Sequence, residues 1–125
     1  MFIDPALARD ARPRFRSLPR GKADPGRRLR RLVARLAGPH ARLLRHAEAL
    51  WFSATFWGAR HTISLAFAGP DAIEAGEAFV AALADHEFGI PGWIVADAAV
   101  VAVDHRLLPD PLMVVEAELL VLEEG

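Results

Sequence analysis

Apolar residues follow a helical period near the start of the chain and a strand period further on. After residue 24 they recur at positions i, i+3, i+4 and i+7, on one side of a short helix: Leu29, Leu32, Val33 and Leu36. Asp24-Pro25 is typical of a helix start and Gly38-Pro39 of a helix end. The pattern therefore predicts a first helix between these two signals, with a further helical turn from Ala41 to His46.

From Glu48 the period changes to two, which is the period of a half-buried strand. The apolar positions on one face of this predicted strand are Leu50, Phe52, Ala54 and Phe56, and the other face begins with Trp51 and ends with Trp57. A short turn containing glycine, Gly58-Ala59-Arg60, is followed by renewed alternation from His61 to Phe67. These features predict a β-hairpin.

In the second half of the chain the predicted order of elements is again one helix followed by two strands. Gly69-Pro70-Asp71 opens a second amphipathic helix that runs to about Ala84. Glycine and proline between His86 and Gly92 indicate a loop. Two more strands are expected, one from about Trp93 to Asp104 and one from Leu112 to Leu122.

The predicted element order is α-β-β-α-β-β, which favours an α+β two-layer sandwich. Its layers are a four-stranded antiparallel sheet, with the second and fourth strands in the centre, and two helices on one face. Moving the last strand to the front produces the order β-α-β-β-α-β of ferredoxin-like folds. We therefore predict a circularly permuted ferredoxin-like domain over residues 24–125, an architecture that does not by itself define a function.

Residues 1–23 are predicted to form an irregular basic arm, because Pro5, Pro13, Pro19 and Gly21 interrupt every regular period. Thirteen of the fifteen bases lie in residues 1–46, against three acids, whereas residues 47–125 hold thirteen acids and two bases. The net charge of −1 therefore conceals a basic N-terminal third and an acidic body. Fourteen arginines against one lysine are typical of a GC-rich bacterial genome.

Composition excludes several classes of protein. The absence of cysteine excludes a disulfide scaffold, a thiolate metal site and a cysteine nucleophile. Apolar runs are far shorter than the roughly 20 residues of a membrane-spanning helix, and the first residues lack the apolar core of a secretory signal. A soluble, cytoplasmic protein with no membrane span is expected.

The face of the sheet that points away from the helices is the strongest candidate for a binding surface. The alternation places the three tryptophans and three carboxylates on it: Trp51, Trp57, Trp93, Asp97, Glu116 and Glu118. A face exposed to water does not need this much apolar surface, and such patches usually mark association or ligand sites.

Three hypotheses explain this face. Two copies can pair through it with the tryptophans as anchors; it can form an apolar ligand pocket with convergent carboxylates; or the basic arm can fold over it. The leading prediction is a small non-enzymatic module, most simply a homodimer, that associates with itself or binds a protein partner or ligand.

The alternative function is binding of nucleic acid or another polyanion through the N-terminal region. Five arginines on the first predicted helix supply the positive charge for this: Arg27, Arg28, Arg30, Arg31 and Arg35. The sheet itself is excluded as the binding surface, because its carboxylates would repel phosphate.

No motif identifies an enzyme. The five histidines show no H-x-x-x-H or H-E-x-x-H spacing, and the chain has no G-x-S-x-G elbow, P-loop or G-x-G-x-x-G sequence. In Asp85-His86-Glu87 adjacent side chains point apart, so the triplet alone does not chelate one metal. The prediction assigns no catalytic residue, metal ligand or cofactor. A third possibility is an enzyme or metal site that uses Asp97, Glu116, Glu118 or His86.

Overall fold

The computed structural model describes residues 24–124 and contains two helices and four strands. The elements in chain order are α1 (Pro25–Ala37), β1 (Ala41–Phe52), β2 (Trp57–Ala68), α2 (Pro70–Ala82), β3 (Trp93–Arg106) and β4 (Leu112–Glu123). A short 3-10 turn, Leu83–Asp85, continues α2. The predicted α+β class and the α-β-β-α-β-β order are confirmed. The predicted arm of residues 1–23 lies outside the described residues.

All neighbouring strands of the sheet are antiparallel, in the order β1-β2-β4-β3. The prediction that the second and fourth strands are central is therefore confirmed. Both helices pack on one face of the sheet, where they bury alternate residues of the two central strands. The core consists largely of these side chains: Leu29, Val33, Ile63, Leu65, Phe67, Ile73, Phe79, Leu83, Met113, Val115, Leu119 and Val121.

The first helix begins and ends at the predicted signals. The Asp24 side chain accepts a hydrogen bond of 3.0 Å from the Gly26 backbone N–H, and Pro25 occupies the first turn. At the other end, the Gly38 N–H donates to the Ala34 carbonyl. Leu29 and Val33 are completely buried, and burial of each such side chain contributes about 1.5–3 kcal/mol.

The first hairpin differs from the prediction. The turn lies at residues 53–56 and not at 58–60, and the segment predicted as a helical turn, Ala41 to His46, belongs to β1. The Ser53 hydroxyl fixes this turn, because it accepts hydrogen bonds from the N–H groups of Thr55 (3.3 Å) and Phe56 (2.9 Å). Alternation of apolar residues continues through the turn, so the period alone does not reveal where the strand ends.

Gly58 lies within β2, at a close approach to the neighbouring strand. It pairs with Leu122 of β4, and a Cβ atom on it would overlap the Val121 carbonyl oxygen. Glycine is therefore required here for backbone contact between two strands, and not for a turn.

Gly76 allows a second close contact, between α2 and the sheet. A Cβ atom there would lie 2.9 Å from the Phe67 ring and 3.2 Å from the Met113 sulfur. The helix thus rests directly on the side chains of β2 and β4.

Within residues 24–124, no helix is long and apolar enough to cross a membrane.

Candidate functional site

The side of the sheet opposite the helices is called the open face here. The strand pairing defines its members: Arg42, Arg45, Ala47, Ala49 and Trp51 of β1; Gly58, Arg60, Thr62, Ser64, Ala66 and Ala68 of β2; Ile94, Asp97, Ala99, Ala102, Asp104 and Arg106 of β3; Leu112, Val114, Glu116, Glu118, Leu120 and Leu122 of β4.

The register arranges most of the open face into five rows that run across the four strands, and Ala68, Leu112 and Arg106 form a further row on β2, β4 and β3. In the order β1, β2, β4, β3 the five rows are Arg42-Ala66-Val114-Asp104, Arg45-Ser64-Glu116-Ala102, Ala47-Thr62-Glu118-Ala99, Ala49-Arg60-Leu120-Asp97 and Trp51-Gly58-Leu122-Ile94. The β1 edge carries two arginines, whereas the β3 edge carries two aspartates and, at its end, Arg106. The open face is therefore cationic along the β1 edge and has a net negative charge along the β3 edge.

The centre of the open face contains an ion pair between neighbouring strands. Arg60 Nη1 lies 3.1 Å from Glu118 Oε1, and both side chains are partly exposed. Such an exposed pair contributes only ~0–1 kcal/mol. Glu116 is half-buried in the row next to that of Glu118, where it pairs with Ser64, and Asp97 is exposed on β3.

The three tryptophans do not share one face, so the expectation for Trp57 and Trp93 is wrong. Trp51 pairs with Gly58 on the open face, whereas Trp57 pairs with Phe52 on the helix side. Trp93 also points to the helix side, where its ring contacts Trp57 edge-on with ring centroids 5.6 Å apart.

Two departures from simple alternation cause this error. The hairpin turn pairs Trp57 with Phe52, and directly paired residues share a face of the sheet, which is the face opposite to Trp51. On β3, a bulge between Val95 and Asp97 interrupts the alternation that was expected to put Trp93 and Asp97 on one side.

Trp93 lines a shallow groove of about 660 Å³ together with the loop that precedes it. Arg28 donates from Nε to the Gly89 carbonyl at 3.3 Å on the wall of this groove. His86 packs edge-on against Phe88, with ring centroids 4.6 Å apart. The His86 side chain thus packs against an aromatic ring of its own loop.

The five arginines of α1 divide into two groups. Arg27, Arg28, Arg31 and Arg35 are exposed, whereas Arg30 is half-buried and points toward β1. Its Nη1 lies 2.8 Å from His46 Nδ1. Arg30 therefore belongs to a polar cluster under the helix.

That cluster joins β1, β2 and the N-terminal turn of α1. His46 and Glu48 lie two residues apart on the helix side of β1, and Glu48 pairs directly with His61 of β2. His46 Nε2 is 2.9 Å from His61 Nδ1. One ligand atom from each of these three side chains lies within 4.8 Å of the other two.

Hydrogen bonding fixes the proton positions in the two imidazoles. Because arginine only donates, His46 Nδ1 must accept from Arg30, which leaves the ring proton on Nε2. That proton is donated to His61 Nδ1, so His61 carries its own proton on Nε2. His61 is completely buried, and its Nε2 has no hydrogen-bond partner among residues 24–124.

Burial keeps both histidines neutral. Desolvation lowers the pKa of His61 to about 4, and the neighbouring His46 adds to this effect while Asp24 opposes it. The pKa of His46 is lowered by burial and then by the Arg30 charge, again against Asp24. The pKa of Glu48 is raised by burial and by Asp24, whereas Arg30 lowers it.

The predicted sites do not include His46, Glu48 or His61. The signal for this cluster was the H-x-E spacing of His46 and Glu48, which places both side chains on one face of a strand. With residues 41–46 predicted as a helical turn, His46 and Glu48 are not expected on one face, because only a strand places residues i and i+2 on the same side. The pairing of Glu48 with His61 depends on the position of the hairpin turn, which was also misplaced.

Comparisons with protein-family models, with curated proteins and with solved structures return no match. The function is therefore inferred from the arrangement and chemistry of this chain's own residues.

Proposed function

We propose that this chain is a self-associating module whose open face binds the open face of a second copy to form a homodimer. The main support is the charge pattern of the open face, which is cationic along β1 and has a net negative charge along β3. A twofold axis parallel to the strands places β1 of one copy over β3 of the other. The two edges then attract each other on both sides of the dimer.

The same operation matches the rows of the two copies. Arg42 lies over the partner's Asp104, and Trp51 lies over the partner's Ile94. Gly58, which has no side chain, lies over the partner's Leu122. The apolar end of one face therefore meets the apolar end of the other, while opposite charges meet at the other end.

The open face is close to the size of a standard protein interface. Four strands spaced about 4.8 Å apart, with about ten residues each at about 3.3 Å per residue, cover roughly 600 Å² in projection. Side-chain relief increases this area toward the roughly 800 Å² that each partner buries in a stable complex.

Charge exchange between the two edges tests the proposal. Arg42→Glu places like charges opposite the partner's Asp104, and Asp104→Arg places like charges opposite the partner's Arg42. Within one chain these residues are three strand spacings apart, about 14 Å, which exceeds the Debye length of about 8 Å at physiological salt. Each single variant should therefore weaken association roughly tenfold, since two exposed pairs are affected at ~0–1 kcal/mol each.

A mixture of the two single variants restores both attractive pairs, but only in a heterodimer. Sedimentation equilibrium of the full chain should show a dimer, weaker self-association of each variant, and recovery of the dimer in the mixture. Arg27→Glu, on the exposed side of α1, is the matched control and should leave association unchanged. A monomeric wild-type chain, or variants that weaken association without recovery in the mixture, would contradict pairing of the open faces.

Polyanion binding through α1 is the second candidate. Arg27, Arg31 and Arg35 are exposed and recur every four residues, so they form one ridge along the helix. Replacement of all three by Gln should abolish salt-sensitive retention on heparin. Equal retention of the wild-type chain and the triple variant would exclude this function.

We also propose that the architecture is a circularly permuted ferredoxin-like fold. Placing β4 before α1 produces the order β-α-β-β-α-β. In support, β2 and β3 are both antiparallel to β4, so α2 joins two parallel strands that flank a third. Likewise β4 and β1 are parallel strands that flank β2, which is the split βαβ arrangement on both sides.

A further inference from the structure

We infer that His46, Glu48 and His61 form a binding site for one divalent first-row transition-metal ion. This site lies on the helix side of the sheet, away from the open face, and it is independent of the proposed self-association. Two imidazoles and one carboxylate suit such an ion better than magnesium or calcium, because the latter two favour oxygen ligands alone.

The backbone already places the ligands together. Strand geometry directs His46 and Glu48 to one side, and the β1–β2 pairing sets His61 directly opposite Glu48. The separation of 2.9 Å between His46 Nε2 and His61 Nδ1 equals the value for two nitrogens at right angles on one ion. Bond lengths of about 2.0–2.1 Å give about 2.9 Å at that angle and about 3.3–3.4 Å at the tetrahedral angle, so tetrahedral binding moves the two nitrogens apart by about 0.5 Å.

The protons are also arranged for an ion at this position. His61 carries its proton on Nε2, the nitrogen farther from His46, so the Nδ1 lone pair faces His46. One proton, on His46 Nε2, lies between the two rings. A metal ion can bind both nitrogen lone pairs when this proton moves to His46 Nδ1 and the two rings tilt toward the ion, and His61 needs no tautomer change.

The helix leaves space beside the ligands because residue 26 is glycine. A Cβ atom on Gly26 would lie 3.3 Å from Glu48 Oε2, 3.5 Å from Asp24 Oδ1 and 3.6 Å from His46 Cε1. Even a methyl group at this position would therefore contact the ligand set. The Asp24 carboxylate, which caps the helix, adds a second negative charge near the ion.

Arg30 competes with the ion for His46. A neutral His46 that binds metal through Nε2 carries its proton on Nδ1, and this N–H cannot donate to the guanidinium of Arg30. Arg30 must therefore move away when the ion binds. A glutamine at this position can instead accept a hydrogen bond from Nδ1–H, as the partners of metal-bound histidines usually do.

The test is titration of the chelator-treated full chain with Co²⁺ and Zn²⁺, followed by Co²⁺ absorption and by calorimetry. The wild-type chain should bind one Co²⁺ per chain, with visible bands that Zn²⁺ abolishes. Glu48→Gln keeps the side-chain shape at an exposed position and should weaken binding by roughly 10–100-fold, whereas Arg30→Gln should strengthen it roughly tenfold.

His86→Gln is the matched control, because this histidine is exposed on a loop outside the cluster. It should leave affinity and stoichiometry unchanged, and denaturation curves should show that Glu48→Gln and Arg30→Gln remain folded. The inference is overturned if neither the wild-type chain nor Arg30→Gln binds one ion. It is equally overturned if Glu48→Gln binds as tightly as the wild-type chain, because the ion then binds elsewhere. Neither result would affect the dimer measurements.

Discussion

Replacement of Gly58 by alanine tests the position of the first hairpin turn. In the structure, the added methyl group would overlap the Val121 carbonyl oxygen and lie 2.8 Å from Leu122 Cα. Both are backbone atoms of a central strand, so no side-chain rotation can relieve the contact. Separation of β2 from β4 at this row, or rotation of the β2 backbone, is required instead.

The expected loss of stability exceeds that of ordinary overpacking. Extra methyl groups in a packed core typically cost about 1–3 kcal/mol, and here the backbone itself must shift. We therefore expect Gly58→Ala to lower the free energy of unfolding by about 3 kcal/mol or more, which corresponds to a decrease in Tm of at least about 12 °C for a domain of this size.

Thermal and urea unfolding, followed by far-UV circular dichroism, measure this change. Gly89→Ala is the matched control, because its Cβ would meet nothing within 4 Å. A loss below about 0.5 kcal/mol for Gly58→Ala, the range of ordinary surface substitutions, would refute the strand pairing. It would favour the turn at residues 58–60 that the sequence pattern predicts.

Three further changes have defined outcomes. Gly76→Ala gains helix propensity of about 1 kcal/mol but presses on Phe67 at a cost of about 1–3 kcal/mol, so urea unfolding should show a net loss of up to about 2 kcal/mol. Asp24→Ala removes the helix cap and should cost about 1 kcal/mol in the same assay, with an unchanged value contradicting the capping contact. Trp51→Ala should weaken dimerisation in sedimentation equilibrium by roughly tenfold, as loss of an aromatic anchor of an interface does, while Trp57→Phe, on the helix side, should not.

Local signals were sufficient to predict most of the fold. Proline and glycine mark the ends of α1 and the start of α2, and their helical stripes supply the observed core residues Leu29, Val33 and Phe79. Strands β3 and β4 are predictable because apolar runs bounded by proline- and glycine-containing segments are typical of buried strands.

The first hairpin could not be predicted from periodicity alone. Alternation from Leu50 to Phe56 crosses the turn without a glycine or proline. The Ser53 hydroxyl stabilises the turn by accepting backbone hydrogen bonds. Gly58 is typical of a turn in the sequence, but in the structure its small size allows the close contact of β2 with β4. A turn shifted by a few residues also moved Trp57 to the opposite face.

The histidine cluster depends on the same register. His46 and His61 are fifteen residues apart and become neighbours only through the pairing of β1 with β2. Arg30 reaches them from a different element. No short motif contains this information, so the cluster became visible only with the tertiary structure.

Cross-linking between single-cysteine variants tests the pairing of open faces most directly. The chain has no cysteine, and Ala47 and Ala99 lie in one row at the two edges of the sheet. About 14 Å separates them within a chain, whereas the proposed axis places Ala47 across from the partner's Ala99 at the sheet spacing of about 10 Å. A mixture of Ala47→Cys and Ala99→Cys, treated with a short bifunctional maleimide, should form cross-linked heterodimers, and each variant alone should form few. Equal cross-linking of each variant alone and of the mixture, or a mixture that stays monomeric, would contradict dimerisation through the open face.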